Sequence, residues 1–530
     1  MTLRLRNTLG RRIEPVDPIE PGRVRMYTCG PTVYRYAHVG NLRSYLLADF
    51  VRRTLLYHGL DVLHVKNITD VGHLRDERFD RGADRMLVAA GLERKEPAEI
   101  AAAYEAAFHA DEAAVNILPA HVFPRATEHV AEMVALAERL VDAGAAYVSP
   151  ERNVYFSVAS SPGYGRLSGN TLDELRAGHR GEVEPDKRDP ADFALWKAAG
   201  EGRMLKWETA RWGEGFPGWH LECSAMALRY LGDEFDLHSG GIDNVFPHHE
   251  DEIAQTSAVT GRPPARHWVH GEHLLMAGRK MAKSSGNFVR ITELAEGLDP
   301  LAFRYLALTV RYGRKLNLSE ASLTAAASGL ESLRSHLRAL GPPSADGPWA
   351  APRPIHAGAA PDRPDGIAHG IAGHGDANEG YVPVDRATAP AAPLSNGGRA
   401  LHARFVDALD DDLDLPSALA IVREILRAEL PADERRWLVL DADAVLGLDL
   451  DRTWALSPQT TDVARERGHV PATVATLVAA RAAARAARDY GRADELRVEI
   501  EAAGWHVEDR AAGPILTPRK RDPAAARSGR

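Results

Sequence analysis

Near the N-terminus a short apolar run gives way to a longer amphipathic one. The run "VRMYTC", Val24 to Cys29, reads as a buried strand. After a turn at Gly40, "NLRSYLLADFVRRTLLYHGL" sets Leu42, Tyr45, Leu46, Phe50 and Leu56 at helical spacing, with Gly59 as a stop. "DVLHVKNIT" follows as a second strand. Strand, turn, helix, strand is a βαβ unit, which implies a parallel sheet that takes its ligands at the carboxyl ends of the strands. Residues from about Pro97 to Gly144 carry a helical pattern, and "RNVYFSV" returns to strand. The loop-rich segment through "DPADFALWK" and "GFPGWH" reads as an insertion between two halves of one nucleotide-binding domain. The second half resumes with a helix at "GWHLECSAMALRYLG", the strand "FDLHSGG" and another helix at "FPHHEDEIAQTSAVTG". From Asn317 the pattern changes to alanine- and leucine-rich helices, interrupted from Gly341 to Gly398 by a Pro/Gly/Ala/His stretch without periodicity, which reads as a disordered insertion or linker. Helices resume at "RALHARFVDALDDDLDLPSALAIVREIL", and "VAARAAARAARDYGRADELRVEIEAAG" is helical and rich in arginine before a basic tail.

Length and composition narrow the setting. At 530 residues the chain is long enough for several domains, and its 45% hydrophobic and 26% charged residues are those of a soluble protein. The start "MTLRLRNTLGRR" has no apolar core of signal-peptide length, and no run approaches the ~18 apolar residues of a membrane span, so a cytoplasmic protein with no membrane contact is expected. Two cysteines close at most one disulfide, too few to staple such a chain, which favours a reducing compartment with thiols kept for chemistry or packing. A formal charge of -9 leaves nucleic acid open as a partner, because binding depends on local Lys/Arg patches.

Those two cysteines carry the first candidate chemistry. Cys29 follows a strand, Cys223 sits near a helix start, and His248 and Glu252 are four apart and so share a helical face. Two thiolates, an imidazole and a carboxylate could close a tetrahedral zinc site; equally, both cysteines could be small core residues and "HHEDE" a solvated helix start. A second candidate is the turn from His38 to Asn41, where a helix N-terminus offers amides and a dipole to an anion. Far downstream "GRKMAKSSGN" supplies Lys280 and Lys283 on a polar, Gly-flanked stretch, either a solvated loop or the other jaw of a triphosphate clamp.

Taken in order, "LRLRNTLGRRIEP" with "GRVRMYTCGPTVYRYAHVGNLR", then "ADFALWK", "GFPGWHLECSAM", "FDLHSGGIDNVFPHHEDEIAQ", "KMAKSSGN", "ALDDDLDLPSALA" and "DYGRADELRVEIEAAG" resemble the motifs of the cysteinyl-tRNA synthetases, a family of class I aminoacyl-tRNA synthetases. The likeness covers nearly the whole chain except the 341–398 stretch and the tail. It implies an α/β fold in which a Rossmann-type nucleotide-binding domain is split by a connective insertion and followed by an all-α anticodon-binding region. The expected boundaries are 1–112 and 219–317 for the two Rossmann halves and 113–218 for the insertion. They are 318–463 for the helical domain with 341–398 disordered, 464–518 for a small tRNA-contacting unit and 519–530 for the tail. It also implies that His38 to Asn41 is the HIGH-type signature and Lys280 to Ser284 the KMSKS-type signature, with His38, Asn41, Lys280 and Lys283 as catalytic residues. Gly40, Gly240, Gly241 and Asp243 join these in binding ATP with Mg2+. By the same resemblance Cys29, Cys223, His248 and Glu252 hold one Zn2+, and Thr69, Trp219 and His238 line a pocket for L-cysteine.

The activity so implied is attachment of L-cysteine to tRNA(Cys) through a cysteinyl-adenylate, by a monomer. Zinc would select the substrate thiolate, making a separate editing domain unnecessary. Some positions depart from the family pattern: "NITDVGHLRDE" follows the second strand, Arg35 stands where an acidic residue is usual, and Ala282 replaces a serine. Neither of those two replacements removes a catalytic lysine. His356, His369 and His374 in the aperiodic stretch share no helical face and read as solvated. Two other readings compete. A ligase that passes activated cysteine to a small amine, as in the mycothiol pathway, is shorter and lacks the C-terminal region kept here. A silent tRNA-binding paralogue would have no need of the four metal ligands and both lysines. For tRNA contact the Arg-rich end is the candidate surface, although Arg481, Arg485 and Arg488 could simply solvate a helix face.

Overall fold

The apolar runs too short for helices become strands of one parallel sheet. The computed structural model describes residues 3–71, 74–76, 81–84, 89, 96–171, 185–200, 203–276, 278–280, 289–294, 298–355, 384–454, 477–478, 480–481, 484–485, 489–502, 505–510 and 513–518. After a hairpin of β1 (Arg4–Asn7) and β2 (Arg12–Pro15), β3 (Arg23–Thr28) leads through a turn to α1 (Val39–Tyr57) and β4 (Asp61–Lys66). β3 pairs with β4 in parallel, Val24 opposite Val62. Buried residues run almost unbroken along β4, as a strand covered on both faces requires.

The helical pattern predicted from Pro97 to Gly144 is two helices, α2 (Pro97–Ala114) and α3 (Val130–Asp142). Asn116, at a positive φ of 54°, and the prolines at Pro119 and Pro124 break the run between them. An antiparallel five-stranded sheet then occupies the loop-rich segment. Its strands are β5 (Ala146–Val148), β6 (Val154–Phe156), β7 (Phe193–Ala198), β8 (Trp207–Thr209) and β9 (Gly213–Pro217), in the spatial order β8-β9-β7-β6-β5.

The chain returns to the first sheet through α4 (Trp219–Leu231), β10 (Phe235–Gly241), α5 (Glu250–Thr260) and β11 (Ala265–Gly271). The order β11-β10-β3-β4 is parallel throughout, with Leu237 of β10 opposite Met26 of β3. Two strands separated by some two hundred residues thus lie side by side at the centre, and their carboxyl ends present Cys29 and Gly240–Gly241 together. The short strand β12 (Leu274–Met276) pairs with β13 (Arg279–Lys280) and, in parallel, with β14 (Leu316–Leu318), which follows α6 (Leu301–Leu308).

Beyond β14 come α7 (Glu320–Ala339), α8 (Asn396–Asp410), α9 (Leu415–Ile425) and α10 (Ala432–Leu446). Ser319, Ser395 and Asp414 cap α7, α8 and α9 by accepting from amides three residues on. α7 buries Leu323, Ala326, Leu330, Leu333 and Leu337, one stripe of an amphipathic helix. The aperiodic 341–398 stretch is structured at its described ends. Ile355, Ala392 and Leu394 are buried, and the Arg386 amide donates to the Tyr57 carbonyl at 2.9 Å. Residues 356–383, with His356, His369 and His374, lie outside the described residues.

The chain divides into two units, Met1–Ile291 with Pro300–Leu450, and Thr292–Asp299 with Asp451–Arg530. The second contains α11 (Tyr490–Ala502) and the antiparallel pair β15 (Trp505–Arg510) and β16 (Gly513–Pro518). Of the arginines named for tRNA contact, Arg488 lies outside the described residues, Arg485 is exposed, and Arg481 is buried, so it neither solvates a helix face nor is presented to a partner.

Candidate metal and nucleotide site

Three separate elements deliver the sulfur, nitrogen and oxygen atoms of one buried cluster. Cys29 comes from the end of β3, Cys223 from the second turn of α4, and His248 and Glu252 from either side of the start of α5. The two Sγ atoms are 4.0 Å apart, and Cys29 Sγ is 3.7 Å from Glu252 Oε1. His248 Nε2 is 3.3 Å from Cys223 Sγ and 3.0 Å from Glu252 Oε1. One ligand atom from each of the four lies within 4.8 Å of all the others. A tetrahedral zinc with Zn–S bonds of about 2.3 Å has edges of roughly 3.3–3.8 Å, so the residues present fit that ion. The alternative of a solvated "HHEDE" does not hold: all five residues are buried. His248 lies in a π-helical turn that runs directly into the helix of Glu252, so the two do share a helical face. Phe246, pushed to an extended φ of −143° and ψ of 132° ahead of Pro247, keeps Val245–His249 irregular.

Charge in the cluster is arranged for ligation. Burial raises the pKa of Glu252, but His238 and His248 outweigh it and bring the carboxyl down to about 2. Burial likewise opposes ionisation of Cys223, and its hydrogen bond with Cys29 and the charge of His248 lower it in spite of that. Cys29 is pushed up by burial and by Cys223. Outer partners aim the ligands. His220 Nδ1 meets His248 Nδ1 at 3.0 Å, which turns the ligand's Nε2 inward, and His220 Nε2 lies 3.3 Å from Asp251.

The three residues expected around the amino acid take different places. Trp219 stacks on His248 with ring centroids 4.2 Å apart, and His238 Nε2 bonds Glu252 Oε2 at 3.0 Å while its ring lies on Trp268. Thr69 reaches the cluster less directly, donating to the buried Glu222 carboxylate at 3.0 Å, one residue before Cys223.

Two residues at the heart of the site escaped the sequence reading. His249 Nε2 stands 3.2 Å from Cys29 Sγ, and with Cys29, His238 and Glu252 it forms a second quartet that shares two members with the first. Its other nitrogen bonds His270 Nε2 at 2.7 Å, and His270 Nδ1 bonds Thr8 Oγ1 at 2.8 Å. The adjacent pair His248–His249 was the available signal. Glu222 beside Cys223 gave none.

The nucleotide side begins at the cap of α1. His38 Nδ1 accepts from the Asn41 amide at 3.1 Å while Asn41 Oδ1 accepts from the His38 amide at 3.2 Å. Burial and then the Arg35 charge bring the His38 pKa down to about 4, so the ring is neutral at pH 7 and, with Nδ1 accepting, carries its proton on Nε2. Gly240 and Gly241 let the end of β10 run close by: a Cβ on Gly240 would lie 2.8 Å from His249, and one on Gly241 would lie 3.0 Å from Ser44 Oγ. Asp243 stands just beyond, Oδ2 3.4 Å from His273 Nδ1. The buried Arg43 guanidinium donates to the carbonyls of His273, Tyr312 and Arg314, tying α1 to the base of the sheet that carries Lys280. Backbone pairing sets Lys280 opposite Leu275, whereas Lys283 lies outside the described residues, as do Met281 and Ala282.

Known proteins share this arrangement of sequence. The family described as the class I (C) tRNA synthetase catalytic domain matches residues 15–328, and the cysteinyl-tRNA ligase anticodon binding domain matches residues 467–513. A cysteine–tRNA ligase of Thermus thermophilus is 40% identical over 97% of this chain and 99% of its own length. One from Chlorobaculum tepidum is 37% identical over 98% and 99%. Among solved structures, methionyl-tRNA synthetase of Mycobacterium tuberculosis in complex with methionyl-adenylate superposes with a TM-score of 0.52 at 15% identity, covering 84% of this chain and 96% of that one. A LeuRS–tRNA–LeuAMS complex from Agrobacterium radiobacter does so with a TM-score of 0.53 at 11% identity, covering 85% and 88%. These last two establish the fold; among the described residues no helix is long and apolar enough to cross a membrane. The chain belongs to the cysteine–tRNA ligases, a family of class I tRNA synthetases.

Proposed function

We propose that the protein joins L-cysteine to tRNA(Cys) with Mg–ATP by way of a cysteinyl-adenylate, and that it selects its amino acid through a zinc ion held by Cys29, Cys223, His248 and Glu252. The observation that carries this reading is the buried quartet with near-tetrahedral edges. Bound there, zinc supplies a soft Lewis acid that favours a thiolate over a serine hydroxyl. The chain's own residues do the rest. Trp219 and His238 wall the space beside the quartet, and Thr69 braces Glu222 behind it. His38 offers its Nε2 proton to the phosphates while Asn41 fixes the ring. Gly40, Gly240, Gly241 and Asp243 shape the nucleotide's bed, and Lys280 and Lys283 neutralise the departing pyrophosphate. The cysteine carboxylate attacks the α-phosphorus; the terminal adenosine hydroxyl of tRNA then attacks the adenylate carbonyl and AMP leaves. Orientation of this kind is worth about 7–11 kcal/mol of the barrier.

The deciding experiment is cysteine attachment to total tRNA, run beside cysteine-dependent ATP–pyrophosphate exchange. Both activities are expected. Exchange without charging points to a small amine acceptor, and neither activity points to a silent paralogue. A cytoplasmic monomer accompanies this reading, expected as one species of 57.7 kDa in light scattering.

A further inference from the structure

The start of α1 is held from outside by residues that follow the lysine-bearing stretch. The Val39 amide, one of the four an α-helix cannot pair internally, donates to the Val289 carbonyl at 3.1 Å. Next in the chain, Arg290 lays its guanidinium on the Tyr36 ring, Cζ 3.4 Å from the centroid. Tyr36 in turn meets Tyr104 of α2 edge to face, centroids 4.7 Å apart at 86°. α2 also contributes Asp111, a buried carboxyl with no hydrogen-bond partner on Oδ2. Burial raises its pKa to about 6 and the Arg290 charge pulls against that rise, so the cation stacked on Tyr36 is also felt by a buried acid.

Core packing is a poor explanation for this contact. Tyr36 stays 39% exposed, so its burial adds little to the hydrophobic interior. What an Arg–Tyr stack does fix is direction, because a guanidinium on a ring face has one plane and one separation. Here the direction it fixes is that of the backbone at 289–290, brought against the residue after His38.

We propose that Tyr36 and Arg290 are positioning residues that hold the chain leaving the KMSKS-type signature against the start of α1. The described residues on either side of 281–288 are each fixed by backbone bonds, Lys280 by its pairing with Leu275 and Val289 by its bond to Val39. The inference rests on the proposed function, which makes Lys280 and Lys283 the phosphate-binding lysines. Misplacement of a positioning contact by about 1 Å costs up to roughly 10²-fold in rate, so its loss falls on kcat and spares the amino-acid pocket.

The test uses the full chain loaded with zinc. In cysteine-dependent ATP–pyrophosphate exchange, Arg290→Ala and Tyr36→Leu each lower kcat by about tenfold with the KM for cysteine unchanged. Tyr36→Phe keeps the ring face and restores kcat. The double variant Tyr36→Leu/Arg290→Ala loses clearly less than the product of the two single losses, since the shared contact is lost once. Amide exchange of the peptide spanning 36–42 reads the same contact without turnover; it quickens in Arg290→Ala and Tyr36→Leu and not in Tyr36→Phe. Single variants within twofold of wild type, multiplicative losses in the double, Tyr36→Phe as slow as Tyr36→Leu, or unchanged amide exchange overturns the proposal. A wild-type protein without any exchange activity overturns instead the reading of the lysines, and amide exchange then decides the contact alone.

Discussion

Cys29 with Cys223, His248 and Glu252, and Asp49 with Arg53 and Arg304, are both buried polar clusters assembled from distant parts of the chain, and they are satisfied in opposite ways. Around Asp49 the protein supplies every partner. Its Oδ2 accepts from Arg53 at 2.8 Å and Arg304 at 2.6 Å, and its Oδ1 accepts from the Leu118 amide at 2.8 Å. The guanidiniums spend their other nitrogens on the carbonyls of Val115, Asn116, Ala444 and Leu446. Gly447, at a φ of 64°, leaves the room: a Cβ there would sit 2.5 Å from Arg304. One carboxylate bridges two guanidiniums and backbone carbonyls take the donors left over, which is how a buried joint between α1, the chain after α2, α6 and the end of α10 stays stable. The other cluster brings together two thiols, an imidazole and a carboxylate, which bond one another and are also the donor set that the zinc ion proposed above would take. Burial alone therefore does not mark a functional site; the chemistry of the donor set does.

The largest expected effect comes from breaking the cluster. Cys223→Ser removes a soft ligand, and discrimination between cysteine and serine in pyrophosphate exchange should fall by roughly 10⁴. Metal analysis should find less than one zinc per chain. A variant that keeps both stoichiometric zinc and full discrimination would mean that the second quartet, with His238 and His249, is the one that holds the ion.

Breaking the joint should do the converse. Asp49→Ala leaves two guanidiniums buried without their counter-charge, a loss of about 3–5 kcal/mol in denaturant unfolding. Zinc content of the folded fraction should stay at one per chain. Should stability be unchanged while metal is lost, the two clusters are not independent and the contrast between them fails.

Legibility in the sequence followed the same division. The parallel sheet could be read from short apolar runs around one amphipathic helix, and the four residues that the fold gathers at Cys29 from the family motifs. His249 went unread beside His248, because a regular α-helical reading puts only one of two neighbours on a given face, whereas Val245–His249 is a π-helical turn. The joint was invisible for a different reason. Asp49 and Arg304 lie 255 residues apart, and a lone arginine in "LAFRYLAL" looks like any solvated helix residue. The ends of the aperiodic stretch misled in the other direction: low periodicity around Ala392 and Leu394 concealed two side chains that are buried.

The smallest effect sharpens the comparison at His38, which shares features with both clusters. One ring nitrogen is fixed internally by the Asn41 amide, as in the joint, yet the ring has to remain neutral to offer its other proton to phosphate. Burial is the main cause of its low pKa and the Arg35 charge the second. The folded value of about 4 lies below the ordinary ~6.5 of an unfolded histidine, so the unfolded chain takes up the proton first. Stability from this residue is thus complete above about pH 6.5 and declines as pH falls toward 4. Arg35→Glu reverses the second cause and should raise the titration midpoint of His38 by about one unit in proton NMR. The exchange rate should remain flat in wild type between pH 8 and pH 6 and begin to drop at a higher pH in the variant. A wild-type midpoint near 6.5 would mean that the ring is not depressed at all, and one that does not move when Arg35 is reversed would leave burial as its cause and not the charge beside it.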